Sequence, residues 1–560
     1  MGERVLTHEV ENQPPPFEDV NLLTSDAVLM EALSRECGGG AADALTAFGA
    51  LCGSAESLEH GRLANEFPPQ LKTHDTQGRR ADRVAYHPAY HALMAASMGA
   101  GLHSAAWEHL AQDGGKTVAS PSVTRAAGLY MATQMEPGHC CPITMTNAAV
   151  TLLLRLPNFA RDWLPKVLSR SYDSSFAPME MKSSVTFGMG MTEKQGGTDV
   201  RSNTTTAVPG GPDGSYVLTG HKWFLSAPMS DAFFVLAQAP GGLSCFFMPR
   251  FLPDGSVNAI HLQRLKDKLG NRSNASAEVE FPGACGWLVG DEGRGVATII
   301  DMVTWTRLDC AVSSAGLMRS ALAHAIHHAD SRRVFGKTLI EQPLMRHVLA
   351  DIALDVEAAT QLAFRLARTF DPGGDEHAIA WRRLMTPVTK YWVCKVAPKA
   401  TGEAMECLGG NGYTEAFPLA RIYREAPVNA IWEGSGNVMA LDVARVFGRE
   451  PDASRLVLDM LAEAARGDVS LAATHGRIRA LLGDASALEL NARELAEGLA
   501  LLAAAVLFRE HAPHRVADAF IRSRFSGSPR QTYGQGLDLA DTEAILMRAS
   551  PARLGQSATG

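Results

Sequence analysis

The chain has 560 residues, 46% of them hydrophobic and 20% charged, with a formal net charge of -8 and nine cysteines. Such a length exceeds what one core supports and points to three or four domains of ordinary globular composition. The acidic total excludes a surface that is basic all over, though not one local basic face. The odd cysteine count without a CxxC spacing gives no disulfide framework, and the longest obvious apolar run, Leu499 to Phe508, is too short to span a bilayer.

In chain order, residues 1–40 read as an N-terminal extension. Pro14-Pro15-Pro16 enforces extended backbone and Gly38-Gly39-Gly40 closes the segment, which either wraps a neighbouring subunit or is disordered. With Glu3, Glu9 and Glu11 it lacks the basic-then-apolar pattern of a secretory signal. A reducing, cytoplasmic setting away from membranes is expected.

Residues 41–185 carry i, i+3, i+4 apolar spacing over 41–61, 88–113, 122–136 and 144–156, which predicts a helical domain. Over 186–290 the texture changes to short β-prone runs at 185–189, 204–208, 215–218, 233–237, 244–248 and 277–281. These are separated by Gly- and Pro-bearing turns and predict a compact β-domain. Helical patterns return at 296–329, 342–370, 377–408 and 435–447, giving a second helical domain over 291–448. A last alanine- and leucine-rich helical segment covers 452–560.

The stretches with chemical character lie at the seams. In Ile431-Trp432-Glu433-Gly434-Ser435-Gly436-Asn437 a carboxylate stands between a bulky apolar pair and glycines. Apolar neighbours raise a carboxylate toward working pH, where it serves as a base; taken alone, though, such a heptapeptide is more often a solvated turn. Met191-Thr192-Glu193-Lys194-Gln195-Gly196-Gly197-Thr198-Asp199 offers hydroxyls and exposed amides to an anionic, planar ligand. Gly220-His221-Lys222-Trp223-Phe224-Leu225-Ser226 puts an aromatic near a hydroxyl, and a core tryptophan in a sheet explains it equally well. No metal site is expected.

Taken together and in order, MTEKQGGTD, GHKWFLS, LKDKLGNRSNASAEVEF, SRRVFG, ECLGGNGY and IWEGSGN resemble the acyl-CoA dehydrogenase family over about residues 40–447. The wording is most similar to the alkylation-response, AidB-type branch. The resemblance implies an α+β multi-domain fold: a helical N-domain, a middle β-barrel-like domain, a four-helix bundle and an extra C-terminal helical domain. It implies FAD as cofactor and an acyl-CoA substrate, with weak isovaleryl-CoA-type activity. It further implies an electron-transfer flavoprotein as partner, a homotetramer built as a dimer of dimers, and sequence-tolerant binding and protection of double-stranded DNA in the DNA-alkylation response.

Position by position, the resemblance makes Glu433 the catalytic base. Met191, Thr192, Gly197, Thr198, Trp223, Phe224, Leu225, Ser226, Arg332, Gly409, Gly410, Trp432, Ser435 and Asn437 become cofactor contacts. Branches that move the base place it just before an arginine; here that pair is Thr306-Arg307, and a threonine cannot be the base. For DNA, arginine forks suit phosphate. Arg445, Arg515, Arg522, Arg524 and Arg530 are the expected contacts, in a segment whose many acids also allow a plain solvated helix face. The alternative reading is an ordinary short- or branched-chain acyl-CoA dehydrogenase whose tail serves assembly.

Overall fold

The computed structural model describes residues 7–37, 42–111, 119–210, 213–484, 486–525 and 532–551. Arg530 lies outside them. Residues 7–26 run over the chain's own surface and lead into α1 (Ala27–Cys37), so the extension packs on its own subunit: Arg319 donates to Ser25 O at 2.9 Å and pairs with Asp26.

The first helical layer is α2 (Ala42–Cys52), α3 (Ala55–Glu66), α4 (Pro88–Gly99), α5 (Pro121–Met135), α6 (Cys140–Leu153) and α7 (Pro157–Val167). The helix expected over 41–61 is two helices. A Cβ on Gly53 would stand 1.8 Å from Val20 O, so the extension's backbone passes at the break. Ser54 then caps α3 by accepting from Ser57 N at 3.2 Å. The 88–113 pattern stops as helix at Gly99, and a hairpin of β1 (Gln70–His74) and β2 (Arg80–Ala85) escaped the reading because Lys72, Arg80 and Arg83 mask its alternation.

The middle domain holds β3 (Phe187–Gly190), β4 (Thr206–Pro209), β5 (Ser215–Ser226), β6 (Ala232–Ala239), β7 (Gly242–Pro249), β8 (His261–Leu265) and β9 (Ser276–Val289). The strands follow the order β3-β6-β4-β5-β9-β7, with β8 on β9. The pairing of β6 with β7 closes the ring into a barrel. Its interior is filled by Leu218, Leu225, Phe233, Val235, Phe246, Met248 and Phe281, each worth roughly 1.5–3 kcal/mol of burial. β5 runs on through the GHKWFLS stretch, which thereby becomes part of the barrel wall.

Next come α8 (Gly295–Ser331), the small strands β10 (Arg333–Val334) and β11 (Lys337–Thr338), α9 (Pro343–Arg368), α10 (Glu376–Glu406), α11 (Pro418–Glu425) and α12 (Gly436–Arg449). Helices α8, α9, α10 and α12 form the bundle. Asp375 caps α10 through Ala378 N at 2.8 Å. A buried bidentate pair, Arg125 to Asp309 at 2.7 Å for each arm, bolts α5 to α8.

The tail comprises α13 (Pro451–Ala464), α14 (Val469–Leu482), α15 (Ala492–His511), α16 (His514–Arg524) and α17 (Leu539–Ala549). The apolar run of α15 is buried against α9, α10 and α12, and α17 crosses α9 and α1, so the tail's core is continuous with the bundle's. No helix among the described residues is long and apolar enough to cross a membrane. All nine cysteines are free thiols.

Candidate active site

The turn from the bundle's 3-10 segment into α12 presents Glu433. Its φ is +59°, in the left-handed region that costs a side-chain-bearing residue energy and is held only where surroundings insist. Gly434 follows at φ +110°, where a Cβ would lie 2.5 Å from Met439 Cε. What insists is a pair of cations. The Lys390 ammonium of α10 donates to Trp432 O at 2.8 Å and to Gly434 O, and Arg307 Nε of α8 donates to Glu433 O at 3.0 Å. Arg307 is itself braced by Asp442 at 2.7 Å. Three consecutive carbonyls are therefore pinned, which aims the side chain between them.

The Glu433 Oε2 is buried and has no hydrogen-bond partner among the described residues. Burial raises this carboxyl above its ordinary value, and the Thr306 hydroxyl, Arg307 and Lys390 pull it only part of the way back. The Thr306-Arg307 pair thus supports the Glu433 carboxyl from beneath. Lys390→Met should free two carbonyls from charge-assisted bonds of about 1.5–3 kcal/mol each. The expected result is a lower Tm and a lower kcat with flavin content retained, read by absorbance of the purified protein.

The facing wall comes from the barrel. The 191–199 loop after β3 and the β5 motif are stitched into one unit: Trp223 N donates to Thr192 O at 2.9 Å, Lys194 N to His221 Nε2 at 3.1 Å, and Lys222 Nζ to Glu193 Oε1 at 2.7 Å. Both partners of that ion pair are fully buried. Burial alone would lift the Glu193 carboxyl; Lys222, the Thr205 hydroxyl and Thr204 N–H hold it instead at about 2. The Trp223 ring is half-buried, with Lys266 Nζ 3.2 Å and Arg264 5.6 Å from its centroid. Ser226 Oγ meets Ser276 Oγ at 3.0 Å. The Cys141 thiol, raised by burial to about 12, lies within the influence of Lys268, Glu433, Asn274 and Ser226. Sheet and bundle therefore converge on one space.

The remaining expected contacts divide. Met191 and Thr192 are half-buried, while Gly197 and Thr198 are exposed on the same loop. Phe224 is exposed with Lys266 over it, and Leu225 points into the barrel core, so its side chain is withdrawn from any flavin contact. Trp432 bonds Asn429 Oδ1 at 3.0 Å. Ser435 occupies the N-cap position of α12 without a side-chain capping bond, and Asn437 Oδ1 accepts from Arg493 of the tail at 2.8 Å. Arg332 sits at the end of α8 and donates to Asn12 O of the extension. Gly409, at φ +60°, and Gly410 face open space. The sequence reading passed over Lys390, Lys266 and Cys141. Lys390 had a signal, a single cation between Val388 and Trp392 in an apolar helix, which demands a buried partner.

The expected DNA contacts fare differently. The Arg524 side chain is 4% exposed and is locked between Asp351 and Asp355, each at 2.8 Å. A buried, paired guanidinium cannot reach a phosphate, and Arg524 leaves the candidate surface. Arg515 and Arg522 are half exposed but both serve the buried carboxylate of Asp541. Arg445 is exposed on α12.

A buried carboxyl oxygen without a protein partner, an aromatic capped by cations, a hydroxyl pair and glycine-faced open space together fit an anionic, flat, redox-active group such as FAD. A helical layer, a closed barrel and a bundle converging on one desolvated carboxylate define the acyl-CoA dehydrogenase class. The N-terminal domain of the adaptive response protein AidB matches residues 12–174, and the middle and C-terminal domains of acyl-CoA dehydrogenases match 188–284 and 293–448. AidB of Escherichia coli (strain K12) is 54% identical over 459 residues, 82% of this chain and 83% of that one. Acyl-CoA dehydrogenase family member 11 of Caenorhabditis elegans is 34% identical over 412 residues, 70% of this chain and 65% of that one. The crystal structure of Caenorhabditis elegans ACDH-11 in complex with C11-CoA superposes with a TM-score of 0.83 at 27% identity, covering 98% of this chain and 94% of that one. The chain belongs to the acyl-CoA dehydrogenase family of FAD-dependent oxidoreductases, in its AidB branch.

Proposed function

We propose that the chain removes hydrogen from the α and β carbons of an acyl-CoA thioester, with Glu433 taking the α-proton. The observation that carries this is the buried, unpartnered Glu433 Oε2, held at a strained backbone position by Lys390 and Arg307. FAD, when bound, accepts the β-hydride. The chain's own part is to orient the thioester, exclude water and take the proton at the Glu433 carboxylate. Met191, Thr192, Trp223 and Ser226 would hold the flavin ring. Arg332 would meet its phosphate and Gly409 and Gly410 its adenine end, with Ser435 and Asn437 completing the site from the bundle. Anaerobic mixing of the yellow protein with a panel of short straight-chain and branched acyl-CoA thioesters, isovaleryl-CoA included, should bleach the oxidised flavin band. A panel that leaves the band untouched would sink the reading.

The same proposal includes transfer of electrons to an electron-transfer flavoprotein and a homotetramer assembled as a dimer of dimers. Phe335, 99% exposed, follows Arg332 in the chain, and Tyr413, 80% exposed, follows Gly409. Such exposure is unusual for large apolar side chains and supports a subunit boundary there.

A second reading, association with double-stranded DNA in the alkylation response, is supported by the likeness to AidB and by Arg445 and Arg449. These stand one turn apart and exposed at the end of α12, on a chain that is otherwise acidic. Arg515 and Arg522 flank this reading less strongly because Asp541 engages both. Replacing Arg445 and Arg449 together by alanine should weaken duplex binding equally across unrelated sequences and flatten the salt slope by about two. Duplex binding that ignores salt, or none, would favour an ordinary dehydrogenase whose tail serves assembly.

A further inference from the structure

A cavity of about 960 Å³ lies between the extension, α3, the C-terminal half of α8 and α11. Neither Glu433 nor the 191–199 loop lines it, so it lies apart from the flavin-ring end of the site, while Leu408 and His328 place it beside Gly409 and Arg332. Its volume is at the upper end of what small-molecule sites use.

Two of its walls are complementary. One is apolar: Phe17, Leu58, Phe417 and Ile422. Phe17 is fixed by ring contacts of 5.1 Å to both His324 and His327, and Pro15 O accepts from His327 Nε2 at 2.8 Å, so the extension is a built wall. The other is a donor wall. Gln134 is only 8% exposed, lines the cavity, and its Nε2 has no hydrogen-bond partner among the described residues. Arg421 lines it too, with its Nη1 buried and equally unpartnered. A buried donor left unsatisfied costs about 1–3 kcal/mol, so two at one cavity call for an acceptor.

The charge balance names the kind of acceptor. Of the lining carboxylates, Glu59 and Glu66 are engaged by Arg62 and Glu415 by Arg424, while Glu18 of the extension is exposed to solvent. Among the described residues, Arg421 is influenced at longer range by Glu136 and Glu425. Glu136 is already saturated by Asn65, Gly138, His139 and Ser273. Arg272 reaches Asp267 only at 3.9 Å.

We propose that this cavity binds an amphipathic oxyanion, a carboxylate or phosphate head on an aliphatic body. The head takes the Gln134 amide and the Arg421 guanidinium, and the body lies on Phe17, Leu58, Phe417 and Ile422. The site is independent of turnover at Glu433.

The test titrates the FAD-loaded full chain by calorimetry with decanoate, decyl phosphate and decanol. One saturable site for at least one of the two anions is expected, with decanol bound at least about tenfold more weakly. The two anionic arms tell a carboxylate site from a phosphate site. Gln134→Leu keeps volume and removes the donor; it should weaken the anion by about tenfold. Arg421→Met should weaken it further, and Glu433→Gln should leave it unchanged. Circular dichroism checks each fold, and if Arg421→Met does not fold, Gln134→Leu decides. No saturable binding, equal binding of decanol, or indifference to Gln134→Leu would overturn the proposal. So would sedimentation showing that a second copy fills the cavity, read as self-association that Gln134→Leu alters while no probe binds.

Discussion

Arg524→Ala is expected to destabilise the chain by about 3–5 kcal/mol, the cost of stranding a buried charge network by removing one partner. Arg524 Nε and Nη2 donate to Asp355 Oδ1 at 2.9 and 2.8 Å, and Nη1 donates to Asp351 Oδ1 at 2.8 Å. The two aspartates also collect Tyr533 Oη at 3.0 Å and Gly534 N at 2.9 Å, so the same knot fixes the segment leading to α17. Burial by itself lowers the Arg524 guanidinium's proton affinity; Asp355 and Asp351 more than restore it, which marks the cluster as mutually dependent. Urea unfolding should therefore show a much lower midpoint for Arg524→Ala, while DNA affinity per folded molecule stays as in the parent. Arg524→Met combined with Asp351→Asn and Asp355→Asn should recover most of the loss, because no charge is then left buried alone. A stable Arg524→Ala with selectively weakened duplex binding would show that the residue is a surface contact after all.

Glu433→Gln is the second large effect. Removing a general base costs about 10²- to 10⁴-fold, so anaerobic flavin reduction by the best acyl-CoA should slow by that range with FAD content unchanged. The pH profile follows from the direction of the shift. Burial raises the Glu433 carboxyl, and only its ionised form takes a proton, so the acid limb of kcat/KM should lie above the ordinary carboxylate range. Stability runs the other way. A carboxyl raised in the folded state contributes fully below its unfolded value, and that contribution is lost as pH rises through the folded one. At neutral pH the charged group is therefore a burden on the fold, and Glu433→Gln should melt no lower than the parent. Flavin reduction at the parent rate in Glu433→Gln would place the base elsewhere.

Where sequence reasoning failed, it failed for reasons of neighbourhood. The 41–61 pattern is periodic throughout, yet it breaks because backbone from Val20 passes against Gly53. The β1–β2 hairpin and β8 are too polar and too short to read as strands, but Asp82 and Arg80 tie the hairpin to Leu262 of β8 at 2.9 Å each. Leu225 stands beside residues that face the cleft, yet the barrel takes it inside. Arg524 is one arginine among several on an amphipathic helix, and nothing local separates a phosphate ligand from an ion-pair core.

The sequence by itself determined the order of helical layer, barrel and bundle, because periodicity is local and each element's apolar face repeats along the chain. It pointed to Glu433 only through the order of all six motifs, since the heptapeptide around that carboxylate reads by itself as a solvated turn. Only the tertiary structure decided what restrains that carboxylate and which arginines are available. Lys390 and Arg307 come from helices 43 and 126 positions away from Glu433, and Asp351 lies 173 residues from Arg524. Burial and pairing over such separations depend on packing geometry, which no window of residues records.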